Sequence, residues 1–458
     1  MTQQTSSRAL LWIVAAGFFM QTLDTTIVNT ALPSMAHSLG RRPLEMQPVV
    51  VAYALTMAML TPASGWLADR FGTRQVYFSA ILIFVLGSVY CASAHSLDQL
   101  VIARVLQGVG GSMLLPIGRL AVLRSVSREE YISALAFISV AGQVGPMLGP
   151  TLGGWLAQSV SWHWIFLINV PIGIVGLVMV RRSLPSAVLT DVAPFDFVGC
   201  VLLSVCMVAF SLALDLPVRE HRLAWCAGLL VLSAVAVLGY VPHARSRANP
   251  LFRLGLFRNR NFSVGLVGNL VCRIGCAAVP FLLPLLLQVQ LGYSPLHSGL
   301  MMLPAAIAGA AAKSGVAPLV KRYGYFTFLT VNTVLLGISI VSFAAIAPGW
   351  PLSVEIVQLA VFGATNSMQF AAMNAVTLKG LVNADAGSGN SLFSMVQMLA
   401  ISLGVSISGA LVNVFAIHLG STALGFRMAF ACVGLVTLFA TPVFRQLQAD
   451  TLEGGQVA

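Results

Sequence analysis

Apolar runs of about twenty residues recur along the whole chain, separated by short polar breaks, and a helix of that length spans the ~30 Å hydrocarbon core of a bilayer. The runs are too long to be strands of a membrane barrel. Within a bilayer the backbone must satisfy its own hydrogen bonds inside each segment, which leaves helices. Only 9% of the 458 residues are charged and 58% are hydrophobic. Soluble domains carry roughly 25% charge, so this chain lacks the polar surface that water requires. The first run, Leu10 to Leu32, has about twice the length of a signal-peptide core and reads as a first span.

Fourteen runs are expected. Six begin near Leu10, Gln47, Val76, Gln99, Tyr131 and Trp164, two near Phe195 and Leu223, and six near Phe262, Ser298, Phe326, Pro351, Ala386 and Gly425. The reading is an all-α membrane protein: an N-terminal six-helix bundle over residues 1–182, an inserted helix pair with its linkers over 183–259, and a C-terminal six-helix bundle with a short tail over 260–458. With both termini placed in the cytoplasm, the outer loops hold Arg41, Arg42, Arg219, Arg222 and Arg427, and Arg104, Arg119, Arg273 and Lys313 lie in or at the ends of spans. The other sixteen of the 25 Lys and Arg fall inside, as the positive-inside rule requires. The net charge of +11 is therefore a topology signal, and nucleic acid is excluded as a partner.

The two halves echo each other. Gly65-Trp-Leu-Ala-Asp-Arg-Phe-Gly72 follows the second span, and Ala317-Pro-Leu-Val-Lys-Arg-Tyr-Gly324 follows the tenth; both end in Arg, aromatic, Gly. Internal repeats of this kind build transporters whose site lies between the halves. In the first copy, Gly65 and Gly72 permit close backbone approach. Asp69 can pair with Arg70, Arg74 or a neighbouring helix end, giving a loop that latches in one conformation only.

Asp24 is the one carboxylate well inside an apolar run. An ionised Asp at mid-membrane costs about 2.5–3.5 kcal/mol on insertion scales, and such a residue commonly faces a water-filled path for protons, ions or substrate. The plainer alternative is a structural Asp bonded to Asn29, Thr25 or the region of Arg104. Arg104 itself needs a partner or must reach the interface, and Gln107 lies one turn on, beside the small residues Gly108, Gly110, Gly111 and Ser112. Gly142 to Gly154 packs five Gly and two Pro into the fifth span, which suits helix crossing and hinging at Gly145, Pro146, Gly149 and Gly153. The seven Cys and seven His show no metal-type spacing, so no metal site is expected. The chain also carries no GxxxxGK[ST] phosphate loop. Energy then comes from an ion or substrate gradient, with Asp24 as the proton carrier.

The segments LDTTIVNTALP (Leu23 to Pro33), GWLADRFGTR (Gly65 to Arg74), RVLQGVGG (Arg104 to Gly111), GQVGPMLGPTLGG (Gly142 to Gly154) and WHWIFLINVPIG (Trp162 to Gly173) together resemble the major facilitator superfamily. Within it they resemble the fourteen-span drug:proton antiporter branch of EmrB/QacA type, and there the MdtD-like group. The resemblance implies a multi-pass transporter of the bacterial inner membrane that exports small molecules by alternating access. It implies no cofactor beyond the proton-motive force, and a monomer whose partners are substrate, protons and lipid. It assigns proton coupling to Asp24 and Arg104, gating to Gly65, Asp69, Arg70, Gly72 and Arg74, and hinging to the fifth span.

Two departures bear on the substrate. His163 stands where such relatives usually carry Arg, and the later spans hold Arg273 and Lys313 where exporters of lipophilic cations often place a second acid; Glu355 falls at the edge of its span. A cavity built from Asp24, Asn29, Gln107, Asn269, Arg273, Gln288, Asn366, Gln369 and Asn390, with Arg104 close by, suits carboxylates, which Arg grips bidentately. The ordinary role of any one of the deep Asn and Gln residues, Asn374 and Gln397 included, is a bond between helices. Multidrug export comes first. An exporter of an organic anion or metal–carboxylate chelate comes second, and a non-transporting sensor or assembly subunit third. Transport direction is left open.

Overall fold

The computed structural model describes residues 2–447 apart from 127, 185–191, 216–222, 380 and 382. Arg219, Arg222 and the tail beyond residue 447 thus lie outside the described residues. The α-helices are α1 (Thr2–Ser38), α2 (Gln47–Leu60), α3 (Ser64–Phe71), α4 (Thr73–Ala92), α5 (Leu97–Ser125), α6 (Arg128–Ser159), α7 (Trp164–Leu167) and α8 (Asn169–Ser183). They continue with α9 (Phe197–Asp215), α10 (Leu223–Ser246), α11 (Arg260–Leu285), α12 (Pro295–Met301), α13 (Leu303–Ala312), α14 (Val316–Ser342), α15 (Leu352–Leu378), α16 (Asn383–Leu419), α17 (Thr422–Leu438) and α18 (Ala440–Phe444). No strand occurs among the described residues.

Twelve stretches among the described residues are long and apolar enough to cross a membrane, so the expected count of fourteen is not reached on that measure. The difference has two sources. The runs expected to start near Ser298 and Phe326 belong to one 51-residue stretch, Pro295–Ala345, which holds α12, α13 and α14 and has a non-helical kink at Gly324. Helix α15 is outside the twelve, in keeping with the polar Glu355, Gln358, Asn366, Gln369 and Asn374 along it.

The sequence echo has a backbone counterpart. Gly72 has φ +84° and Gly324 φ +76°, in the left-handed region where a Cβ is strained. Each is the last residue of its copy of the motif, and each breaks a helix there. Gly65 differs from expectation: a Cβ built on it would touch nothing within 4 Å, so no close backbone approach depends on it.

In the first half α1 packs along α6, α4 along α5, and α2 against α5; in the second, α11 pairs with α16, α13 with α15 and α14 with α17. The halves meet where α2 crosses α16 and where α12 lies on α6. Helices α9 and α10 pack on each other, and α9 also touches α2 and α16. Small residues make these crossings possible. Cβ atoms on Gly145, Gly149 and Gly153 would fall 2.3 Å from Thr22 Oγ1, 2.2 Å from Thr26 Oγ1 and 2.2 Å from the Ile27 carbonyl. The Gly face of α6 is thus a groove filled by α1, and α6 runs helically through Pro146 and Pro150.

Candidate functional site

Asp24 lies inside the N-terminal bundle with no exposure, and Arg104 has 1%. The Asp24 carboxylate accepts from Arg104 Nη1 (2.6 Å), Gln107 Nε2 (2.7 Å) and Asn169 Nδ2 (3.2 Å). Arg104 also donates Nε to the Val49 carbonyl (3.0 Å) and Nη1 to Gln107 Oε1 (2.7 Å). Its guanidinium stands 4.1 Å from the centre of the Tyr53 ring and 5.8 Å from that of Phe166. Gln107 Nε2 reaches Ser88 Oγ at 2.9 Å. Five helices therefore converge on one carboxylate: α1, α2, α4, α5 and α8. Arg104 is paired in the interior, which settles against its reaching the interface. Removing one partner of such a pair costs about 3–5 kcal/mol, because a buried charge is left unmatched.

A cavity of about 810 Å³ opens on the face that carries Asp69, Leu123, Val192 and Leu251, and reaches inward to Gln21, Met57, Ser112 and Gln397. That volume falls within the roughly 300–1,000 Å³ typical of small-molecule sites. Of the nine residues expected to line a substrate cavity, Asn390 lines this one. Asp24, Asn29, Gln107, Asn269, Arg273, Gln288, Asn366 and Gln369 do not, and this corrects the expectation for each. Asp24 and Gln107 are sealed in the network above. Gln369, fully buried, accepts from Asn332 Nδ2 (2.7 Å) and donates to Thr333 Oγ1 (2.7 Å), joining α14 to α15. Gln288 Nε2 donates to the Thr30 carbonyl across the two halves (2.9 Å). Asn29 Oδ1 and both side-chain polar atoms of Asn269 are buried without a partner. Asn366 is half-buried. Arg273, partly exposed, stacks 4.2 Å from the Phe370 ring centre, with its Nε unpartnered.

At the cavity mouth Asp69 is ion-paired with Arg124 at the end of α5. Arg74 donates to the Arg181 carbonyl, and Arg70 is exposed. The latch thus closes onto a helix end of its own bundle while the cavity stands open. Trp66, between Gly65 and Asp69, donates Nε1 to the Ala193 carbonyl (2.9 Å) and packs on Phe195 at 5.3 Å. Ala193 belongs to the linker before α9, and Leu251 and Phe252 to the linker after α10; all three line the cavity. Asp196 ties the linkers together. It accepts from Leu251 N (2.9 Å) and Gly199 N (3.0 Å) and pairs with His243 Nε2 (2.7 Å). Burial opposes ionisation of Asp196, yet these bonds outweigh it and hold the carboxyl below its ordinary pKa. The tie is therefore intact at neutral pH and loosens as acidification protonates the group.

On the opposite face the halves are closed. Gly154 and Gly299 bring the backbones of α6 and α12 together: Cβ atoms there would fall 2.1 Å from the Pro295 carbonyl and 2.3 Å from the Pro150 carbonyl. Thr151 Oγ1 donates to the Gly299 carbonyl (3.2 Å), and Leu296 N to Gln158 Oε1 (3.1 Å).

Sequence reasoning passed over Asn169, Tyr53, Ser88 and Asp196. Asn169 sits within WHWIFLINVPIG, which carried family resemblance but no assigned role. Tyr53 and Ser88 have no distinguishing local pattern, and Asp196 is disguised by its place at the start of an apolar run.

Asp69→Asn should slow transport several-fold while changing ligand affinity little, since the pair with Arg124 is at the mouth. Measured rate and half-saturation concentration check this; a large affinity loss at unchanged maximal rate would contradict it.

The profile of the Major Facilitator Superfamily matches residues 14–405. MdtD of Yersinia enterocolitica serotype O:8 / biotype 1B (strain NCTC 13174 / 8081), a multidrug resistance protein by name, is 46% identical over 459 residues, 98% of this chain and 96% of that one. MdtD of Klebsiella pneumoniae (strain 342) is 50% identical over 418 residues, 90% and 87% of the two chains. Among solved structures, an auto-inhibited peptide transporter of the POT family superposes with TM-score 0.73 at 14% identity, covering 98% of this chain and 99% of that one. The nucleoside transporter NupG gives 0.67 at 14% identity, over 96% and 100%; both likenesses concern the fold. With the helical architecture, the sequence motifs and relatives matched almost end to end, this chain is a multi-pass membrane transporter and belongs to the Major Facilitator Superfamily.

Proposed function

We propose that this protein exports small molecules of the multidrug type across the bacterial inner membrane by alternating access, in exchange for protons and as a monomer. The observation that carries the proposal is the sealed Asp24–Arg104 pair with its converging donors. Protonating this carboxylate removes the charge that Arg104 and Gln107 bond, which releases both and loosens five helices together. The cavity open on one face and the Gly154–Gly299 seam closed on the other are the two gates that such a cycle alternates. The open face bears Arg70, Arg74, Arg124 and Arg181 and is assigned to the cytoplasm, with both termini, by the positive-inside rule.

Fourteen crossings, as 1–182, 183–259 and 260–458, remain the reading of the topology. The kink at Gly324 divides the 51-residue stretch into an earlier part of about 29 residues and a later one of about 21, each long enough to cross a bilayer. The 27 residues of α15 reach about 40 Å at 1.5 Å each, enough to span a bilayer. Gating by the Gly65 to Arg74 loop and hinging at Gly145, Pro146, Gly149 and Gly153 belong to the same proposal.

A second reading, export of an organic anion or a metal–carboxylate chelate, draws on the cavity's charge. Among the described residues its charged lining residues are Asp69 and Arg119, and Asp69 is neutralised by Arg124, so none of them offers a free carboxylate to a cationic cargo. The test is uptake into inverted vesicles under an imposed pH gradient, with a lipophilic cationic dye and a tricarboxylate as probes. Gradient-driven uptake of either, at least about tenfold over the collapsed-gradient control, is expected; uptake of neither removes the exchange reading.

A further inference from the structure

Glu355 is a buried acid that the proposed cycle does not use. It lies in the first turn of α15, on the closed face, and is only 2% exposed. Its place near the helix start suggests an interfacial residue, but packing has enclosed it. Its Oε2 has no hydrogen-bond partner. The carboxyl faces the Tyr293 hydroxyl and the His297 ring, and those two rings stack on each other, 4.4 Å between centres and 3° from parallel. Between Tyr293 and His297 run Ser294, Pro295 and Leu296. Pro295 presents its carbonyl to Gly154, and Leu296 gives its N–H to Gln158. The acid thus touches the two residues that bracket the contact closing this face.

Among the described residues no second cation balances it. Helix α13 carries no titratable side chain, α14 and the turn after it carry none over residues 333–345, and α11 carries none beyond Cys276. Lys313 is at the far end of α13, and His418 of α16 bonds the Val414 carbonyl at its own exposed end. Among the described residues, His297 and Tyr293 are the titratable groups facing the carboxyl. A carboxylate enclosed with one oxygen unpartnered is costly, and its neutral form is not.

We propose that Glu355 is a second proton-binding site, separate from Asp24, that governs the closure between α6 and α12: its neutral form favours the closed seam and its ionised form the open one. The proposal rests on the alternating-access reading. Its direction follows from linkage. The closed state binds the proton more tightly, so acidification on this face raises the closed population and alkalinisation lowers it. One proton shifts the ratio by at most about tenfold per pH unit. Glu355 cannot deliver that proton to the cavity on the other face, so it senses rather than carries.

The test uses the full-length protein in nanodiscs, with the seven native Cys replaced by Ser or Ala and spin labels on Val160→Cys and Leu300→Cys at the two sides of the seam. Pulsed-EPR distances are read from pH 5 to pH 9. The expected result is a seam that opens with rising pH, a response that persists in Asp24→Asn, and a seam that stays closed in Glu355→Gln with less than a twofold population change over the range. Tyr293→Phe keeps the ring stack and removes the hydroxyl facing the carboxyl, and should move the midpoint up by about one pH unit. A response unchanged in Glu355→Gln, or lost in His297→Gln with Glu355 present, overturns the proposal; where Glu355→Gln does not fold, an unmoved midpoint in Tyr293→Phe overturns it. A seam that never opens in any variant defeats the alternating-access reading instead.

Discussion

Asp24→Asn is expected to reduce pH-gradient-driven exchange by about 100-fold or more. The wild-type carboxylate accepts from Arg104 on one oxygen and from Gln107 and Asn169 on the other. An amide has one accepting atom, so in either orientation its NH₂ meets a donor, and it cannot cycle a proton. The substitution also leaves the Arg104 charge unmatched at a cost of about 3–5 kcal/mol. The double variant Asp24→Asn with Arg104→Gln separates the two effects. Removing both charges should recover most of the thermal stability lost in the single variant, and none of the exchange. Initial rates in proteoliposomes and melting temperatures in detergent provide the measurements. Exchange retained in a folded Asp24→Asn protein places the coupling group elsewhere.

Gly299→Val should hold the closed seam apart and abolish alternation. Even a Cβ at that position falls 2.3 Å from the Pro150 carbonyl and 3.0 Å from Thr151 Cα, and both obstacles are backbone. A branched side chain therefore cannot be accommodated by a rotamer change, and α12 must move off α6. The expected outcome is a protein that reaches the membrane, loses at least about tenfold in transport, and keeps its seam open at every pH. Gly228→Val, on α10, is the contrasting control, since a Cβ there touches nothing within 4 Å. Normal transport in Gly299→Val would show that the seam is not a working gate.

The sequence was most legible where the bilayer simplifies the physics. Long apolar runs and biased loop charges announced a helical membrane chain, and the echo ending in Gly72 and Gly324 marked matching backbone breaks. Asp24 and Arg104 stood out because a charge inside an apolar run is rare and needs a partner, but the sequence did not say which way they face. Orientation depends on helix rotation and on partners distant in the chain: Asn169 is 145 residues from Asp24. The expected cavity failed for the same reason. Gln107 and Gln369 are bonded within their own bundles, as polar groups in spans often are; of the deep polar groups the sequence offered, Asn390 and Gln397 line the open cavity, beside residues such as Thr61, Ser391 and Ser394 that have no signature of their own. Glu355 does lie at the edge of its span, in the first turn of α15, but its burial comes from neighbouring elements that position along one helix does not reveal.

The tie at Asp196 brings the two ends of the α9–α10 pair together. Its carboxylate bonds Leu251 N at 2.9 Å, so the chain leaves and rejoins the body of the protein at nearly the same place. Excising α9 and α10 requires only a short bridge from the region of Phe195 to that of Leu251, with no long gap to close. Conversely, another membrane hairpin whose ends lie equally close can be grafted at that point, which makes this junction the natural splice site for building chimeras between long and short members of the superfamily.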